Sequence, residues 1–279
     1  MILSIGDLVL DITIVPSGRL RPNDDNPAVI RVGGGGQAAN FCAWVAALGS
    51  PVRLVTRVGD DDRGRRLVRE VEELGVEVFA VSGLDPTGMI AVLVGPNGER
   101  TMATQRGASA GLRPDDLRKP WFRGVNLIHV PGYSLFVEPL AASARLAIEL
   151  VRHDGGLVSI DLSSAAGLKE YGAARFAAEL AVLKPDLLFA TAAESEKLGV
   201  PMEGLAKVPV LKLGASGCRV EGRHIPAPQV QEVDATGAGD ALAAAFCVTY
   251  LDGATPIEAA EKAVVVASGA VTRTGARPS

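Results

Sequence analysis

The chain has 279 residues, 48% hydrophobic and 22% charged, enough to bury the core of one large α/β domain. A net charge of −4 and an aromatic content of 4% argue against a surface that grips a nucleic-acid backbone and stacks its bases. No uncharged apolar run reaches the ~18 residues of a membrane span, so a cytoplasmic protein without membrane partners is expected.

The N-terminal MILSIGDLVLDITIV is apolar, but Asp7 and Asp11 interrupt it, and no basic flank or cleavage site accompanies it. It reads as a first strand, with a central-sheet strand expected over 2–6. Residues 12–32 carry Pro16, Pro22 and Pro27 among short β-like pieces. Gly33 to Gly36 then lead into QAANFCAWVAAL, a helix apolar almost all round and so expected to be buried. A strand is expected over 52–58. The helix of residues 64–74 places Leu67, Val71 and Leu74 on one face, with Gly75 where a left-handed cap is needed. Residues 88–105 read as strand, a Pro96-Asn97-Gly98-Glu99 turn, and strand. Further strands over 126–131, 157–161, 186–190 and 208–213 alternate with helical patterns, which implies parallel strands with helical crossovers.

Residues 12–32 and 88–106 break that rhythm, so they are expected to form a small β lid on a single α/β unit; the plainer alternative is a surface hairpin. Cys42, Cys218 and Cys247 are far apart and suit free thiols, while His129, His153 and His224 are scattered and read as structural or surface groups.

Two glycine-rich stretches carry chemistry. In Gly33-Gly34-Gly35-Gly36-Gln37-Ala38-Ala39-Asn40, the glycines let backbone approach a ligand at a helix mouth. Gly34-x-Gly36-x-x-Ala39 also matches a loose dinucleotide fingerprint, which makes a Rossmann-type oxidoreductase an alternative. Against it, the stretch does not follow the first strand, and the nearest acidic candidate, Asp60, lies 24 residues past Gly36. In Asp234-Ala235-Thr236-Gly237-Ala238-Gly239-Asp240, small residues open a helix whose unpaired N–H groups make an anion hole. Asp240 falls in the first turn, where the positive field is expected to keep it ionised as a general base.

DATGAGDALAAAF, together with GGGGQAAN and Gly6-Asp7-x-x-x-Asp11, resembles the ribokinase (PfkB-type) carbohydrate kinase family nearly end to end. The resemblance implies a three-layer fold with a central, mostly parallel sheet flanked by helices and a small β lid. It implies transfer of the γ-phosphate of ATP, with Mg²⁺, to a hydroxyl of a sugar-like molecule. Asp240 would be the base, with Gly237, Ala238 and Gly239 as the anion hole. Asp11, Gly35, Gly36, Gln37, Asn40 and Arg106 would bind the polyol, and Lys212, Gly214, Ser216, Gly217 and Gly239 the nucleotide. The family's Asn-Glu-x-Glu appears as Ala193-Glu194-Ser195-Glu196, so the Asn is missing and Glu196 is left to hold a water on Mg²⁺. Asp234, Thr236, Ala270, Arg273, Gly275 and Ser279 match a monovalent-cation site, which makes K⁺ activation an expectation. The lid, through Ile12, Ile14, Val29 and Ile30, could serve a homodimer, or those residues could pack on its inner face. Alternatives within the family are a nucleoside kinase, for which Tyr133 or Phe136 would be the aromatic shelf, and a catalytically silent binding protein.

Overall fold

The computed structural model describes residues 1–95 and 99–278, so the hairpin tip Pro96-Asn97-Gly98 and the cation-site candidate Ser279 lie outside the described residues. In chain order the strands are β1 (Ile2–Ile5), β2 (Val9–Pro16), β3 (Ala28–Gly35), β4 (Val52–Gly59), β5 (Glu77–Gly83), β6 (Thr87–Val94) and β7 (Arg100–Gly107). They continue as β8 (Leu127–Pro131), β9 (Leu157–Asp161), β10 (Leu187–Thr191), β11 (Val208–Lys212), β12 (Cys218–Val220) and β13 (Arg223–Ile225). The helices are α1 (Gln37–Ala47), α2 (Asp62–Glu73), α3 (Tyr133–Phe136), α4 (Leu140–His153), α5 (Ala165–Tyr171), α6 (Ala173–Leu183), α7 (Ala192–Leu198), α8 (Ala238–Leu251) and α9 (Pro256–Ala270).

Nine strands form the large sheet in the order β13-β12-β11-β10-β9-β8-β1-β4-β5, parallel except at β12 and β13. Its central strands are covered on both faces, so they run apolar without alternation: all four residues of β1 and all five of β8 are buried. Neighbouring residues feed two cores. Ile2, Leu127 and Val210 join Phe41 of α1, Phe246 of α8 and Ala263 of α9 on one face, whereas Leu3, Ile128 and Leu188 join Ile148, Leu168 and Phe176 of α4–α6 on the other. The helix expected over 64–74 is α2, with Leu67 and Val71 buried and Gly75 at φ 90° just past its end. Its N-cap, Asp61, accepts from the N–H of Gly64 at 2.8 Å.

The second sheet has the order β3-β2-β6-β7 and is drawn from residues 9–35 and 87–107, wider than the 12–32 and 88–106 expected. The central strand expected over 2–6 is β1, and the lid starts earlier in the chain than expected. The apolar N-terminal stretch is two strands: β1 lies in the large sheet, and after Gly6–Leu8 the chain enters β2 of the small one. Apolarity alone does not mark where a strand changes sheets. Asp61 ties the sheets together, since its carboxylate also accepts from Thr87 N at 2.9 Å and Thr87 Oγ1 at 2.7 Å at the start of β6. Of the four lid residues named for a dimer, Ile12 packs on the core, while Val29 and Ile30 are exposed together with Val32 and Met102. Among the described residues no helix is long and apolar enough to cross a membrane. The three cysteines are free and buried, and His129 is a core histidine, stacked on Phe41 and bonded to Ser159 Oγ at 2.9 Å.

Candidate active site

Chain connections leave β1 in opposite directions, toward β4 on one side and β8 on the other, and such a switch point opens a crevice at the carboxyl ends of the strands. The polar residues collect there. Asp7 follows β1, Tyr133 follows β8, Asp161 ends β9, Glu194 follows β10 and Lys212 ends β11, and all line one cavity of about 960 Å³. Asp11, Gly36, Gln37 and Asn40 reach it from the lid and α1, Arg100 and Arg106 from β7, and Thr236, Gly237, Gly239 and Asp240 from the mouth of α8. A smaller, more apolar cavity of about 160 Å³ adjoins it, lined by Gly214, Gly217, Val230, Leu242, Val264 and Val271 among others. Lys212, Ala235 and Gly239 line both. Ser216 does not; its carbonyl faces His224 Nε2 at 2.6 Å.

The acceptor side is shaped by the glycine run. Gly35 closes β3 against Asp11, and a Cβ there would fall inside the carboxylate. Gly36 caps α1 at φ 99°, a conformation that disfavours side chains, and a Cβ there would strike the carbonyl of Asp7. Asp11 therefore stands on the lid strand β2, not at the end of the first strand, and one of its oxygens is buried without a hydrogen-bond partner in the described structure. Asp7 Oδ1 is in the same condition. Burial pushes Asp11 up to about 6 although Arg277 pulls it back. Arg106 is not a free cation, since its guanidinium pairs with Asp7 Oδ2 and lies 4.2 Å over the ring of Tyr133.

The side-chain amides of Asn40 and Gln37 face Asp240 and favour its ionised form, and Gln37 accepts from Ser163 Oγ at 2.5 Å. The expectation that the helix field keeps Asp240 ionised is overturned. Desolvation first, and then the neighbouring Asp161, push it up to about 7 despite Lys212, Asn40 and Gln37. Desolvation and one neighbouring carboxylate outweigh the helix end. Lys212 donates to Asp161 Oδ2 at 2.5 Å, and Asp161 and Glu194 hold its ammonium above the usual range despite burial. It stands at the junction of the cavities and lines both, near Gly239.

Gly237 caps α8 at φ 77°, packed so closely on Ala276 that a Cβ would overlap that backbone. Of the three amides expected in the anion hole, that of Ala238 is turned onto the carbonyl of Ala235 at 3.3 Å. Glu196 is exposed on α7 and does not line either cavity, whereas Glu194, one turn position earlier, is buried and does. Asp234 accepts from Arg100 at 2.6 Å, from Thr236 N and Oγ1 at 2.9 and 2.5 Å, and from Gly275 N at 3.0 Å. Burial pushes its pKa up, but these bonds bring it below the usual carboxylate range. Ala270 ends α9 beside Val271, whose carbonyl receives the N–H groups of Val233 and Asp234, so this corner does join the two chain segments. Arg273 is exposed in the same turn.

Sequence reasoning missed roles for Asp7, Asp161, Glu194 and Arg277. A carboxylate at the end of a predicted parallel strand was the available signal for Asp7 and Asp161; a buried residue paired at long range, such as Arg277, leaves none.

Residues 1–279 match the family model of pfkB family carbohydrate kinases. The chain is 32% identical to an ATP-dependent ribose-1-phosphate kinase of Halopiger xanaduensis over 99% of this chain and 93% of that one. Among solved structures it is similar to adenosine kinase from Sinorhizobium meliloti, with a TM-score of 0.88 and 24% identity over 99% of this chain and 95% of that one. It is likewise similar to an E. coli chain solved in complex with ATP and Mg²⁺, with a TM-score of 0.85 and 24% identity over 99% and 94% of the two chains.

Proposed function

This chain belongs to the pfkB family of carbohydrate kinases and transfers phosphate from ATP to a sugar-type acceptor, and from that premise we propose that Asp240 is the base and that the acceptor is a polyol held in the larger cavity. The observation that carries this reading is a juxtaposition. Asp240 lines the larger cavity with Asp11 and Asn40, and its neighbour Gly239 lines both cavities.

The smaller, apolar cavity suits adenine. With the nucleotide there, its phosphates extend toward Gly239 and Lys212, where the free amides of Gly237 and Gly239 and an ammonium favour negative charge. On the other side, the unpartnered oxygens of Asp7 and Asp11 accept from acceptor hydroxyls, and Asn40 and Gln37 donate. Asp240 takes the proton of the attacking hydroxyl as that oxygen bonds to the γ-phosphorus. The bond to the bridging oxygen breaks and ADP leaves with its electron pair. Lys212 shields the developing charge.

The donors suit a Mg²⁺ that arrives with ATP: no group of three His, Cys, Asp or Glu among the described residues could cage a metal alone, yet Glu194 and Asp161 flank Lys212 in the cavity. Mg²⁺ supplies charge neutralisation of the phosphates, and Glu194, not Glu196, is the carboxylate we assign to it through water. We assign K⁺ to the corner of Asp234, Thr236, Ala270, Arg273 and Gly275; equal turnover with K⁺ and with a large organic cation overturns that. The exposed lid face of Val29, Ile30, Val32 and Met102 is assigned to a second copy of the chain, checked by sedimentation of wild type against Ile30→Glu. The lid closes on acceptor binding and keeps water from the γ-phosphate.

A sugar is favoured over a nucleoside because Arg106 already covers the Tyr133 ring that would serve as a base shelf. A coupled assay of ADP formation with ribose, fructose, ribose 1-phosphate and adenosine tests the reading: turnover of a sugar supports it, and a wild type inactive on all four removes it, as would a silent binding protein.

A further inference from the structure

Arg277 takes no part in the steps above and does not line either cavity, yet the acceptor side is assembled around it. Its Nε donates to Asn40 Oδ1 at 3.0 Å, and one Nη donates to the carbonyl of Gly35 at 2.8 Å. Gly34 makes room for it, since a Cβ at that position would overlap the guanidinium. Around the cation stand Asp11 of β2, Cys42 of α1, Glu70 of α2 and Asp240 of α8.

An asparagine amide presents one carbonyl oxygen and one NH₂ group, and a buried partner for the first decides where the second points. Arg277 cannot accept a hydrogen bond, so it selects the oxygen of Asn40. The amide nitrogen is left to face Asp240, whose ionised form Asn40 favours. We propose that Arg277 is a positioning residue for acceptor binding, which locks the Asn40 amide with its nitrogen toward Asp240 and holds a countercharge behind Asp11. A hydroxyl entering the cavity then meets a preset acceptor, Asp11, and a preset donor, Asn40. The inference rests on the polyol reading of the larger cavity, and it gives Gly34 a reason that neither sheet geometry nor cavity lining supplies.

The test uses Arg277→Met, which keeps the bulk, Arg277→Lys, which keeps the charge, and Gly34→Ala, which displaces the guanidinium without touching it. With ATP and whichever of ribose, fructose or ribose 1-phosphate the wild type turns over, R277M is expected to raise KM for the acceptor by about tenfold or more. Its kcat stays within about threefold and its KM for ATP is unchanged. R277K recovers part of the loss, G34A reproduces it, and G34A/R277M is no worse than R277M alone. The acid limb of kcat/KM moves to higher pH in R277M because Asp11 loses its countercharge. An unchanged acceptor KM, or losses in G34A and R277M that multiply, overturns the proposal. Independently of any acceptor, the thermal melts of N40A, R277M and the double variant are expected to be non-additive. Additive melting shifts overturn the lock even where the wild type phosphorylates none of the three sugars, a result that would instead remove the kinase reading.

Discussion

Replacing Asp240 by Asn is the sharpest test of the proposed chemistry, because the structure fixes both the size and the pH dependence of the effect. Asn keeps the shape and leaves the cavity lining of Asp11, Gln37 and Asn40 in place, so acceptor affinity should hardly change. The lost function is proton removal, which a positioned base supplies at about 10²–10⁴-fold. We expect kcat to fall by at least ~10² with acceptor KM within about threefold. In the wild type Asp240 titrates at about 7, so the ionised fraction at pH 6 is roughly a tenth and at pH 8 roughly nine-tenths. The base works only when deprotonated, so kcat/KM should rise about tenfold from pH 6 to pH 8, and this limb should be absent in D240N. The coupled ADP assay across that range, with the auxiliary enzymes in excess at each pH, reads both. A D240N enzyme with more than about a tenth of wild-type kcat, or with the same limb at pH 7, refutes the assignment.

Three further results are expected. Gly35→Ala drives a Cβ into Asp11 and should raise acceptor KM at least ~10-fold with ATP KM unchanged, read by initial rates. Asp61→Ala removes the cap of α2 and the two bonds to Thr87 that tie the lid to the large sheet, at a cost of about 2–3 kcal/mol in urea melts. Burial works to raise the pKa of Asp61, but its bonds to Thr87 and Gly64 bring it below the usual carboxylate value. That stability is present above the unfolded-state value and is lost as pH falls through the folded one. Arg100→Met cuts the ion pair that joins β7 to the loop before α8; without that tie to Asp234, ADP release in the absence of acceptor should rise several-fold, and an unchanged background would show that the lid does not depend on it.

Elements with a local physical signature were legible. The parallel strands announced themselves as short apolar runs, α2 by its amphipathic face and Gly75, and the mouth of α8 by clustered glycines, which a helix interior disfavours. The sheet change after β1 was not, because β1 and β2 are equally apolar and only the pairing partners differ. The same limit explains the site. Asp240, Asp11 and Asn40 sit beside glycine signals, but the choice between Glu194 and Glu196 depends on which way α7 faces, and one helical turn cannot show that. Arg106 read as a free cation because its partner Asp7 is 99 residues away.

The state of Asp240 shows why the surroundings matter as much as the motif. A first-turn aspartate before an open helix end should be acidic, and on an exposed helix it would be. Here α8 is apolar almost throughout and packs against α1, which is equally apolar, so the carboxylate sits in the cavity wall, partly removed from water. Asp161 adds a like charge, and Lys212 answers it only in part because Asp161 and Glu194 share the same ammonium. The result is a base that titrates near neutrality, which holds a proton loosely enough to lose it before the reaction and takes one readily during it. A stronger acid in the same place would be ionised more fully but would accept the hydroxyl proton less well. With Asp240 as the proposed base, its buried companions set the pH at which it works, although none of them touches the proton that moves.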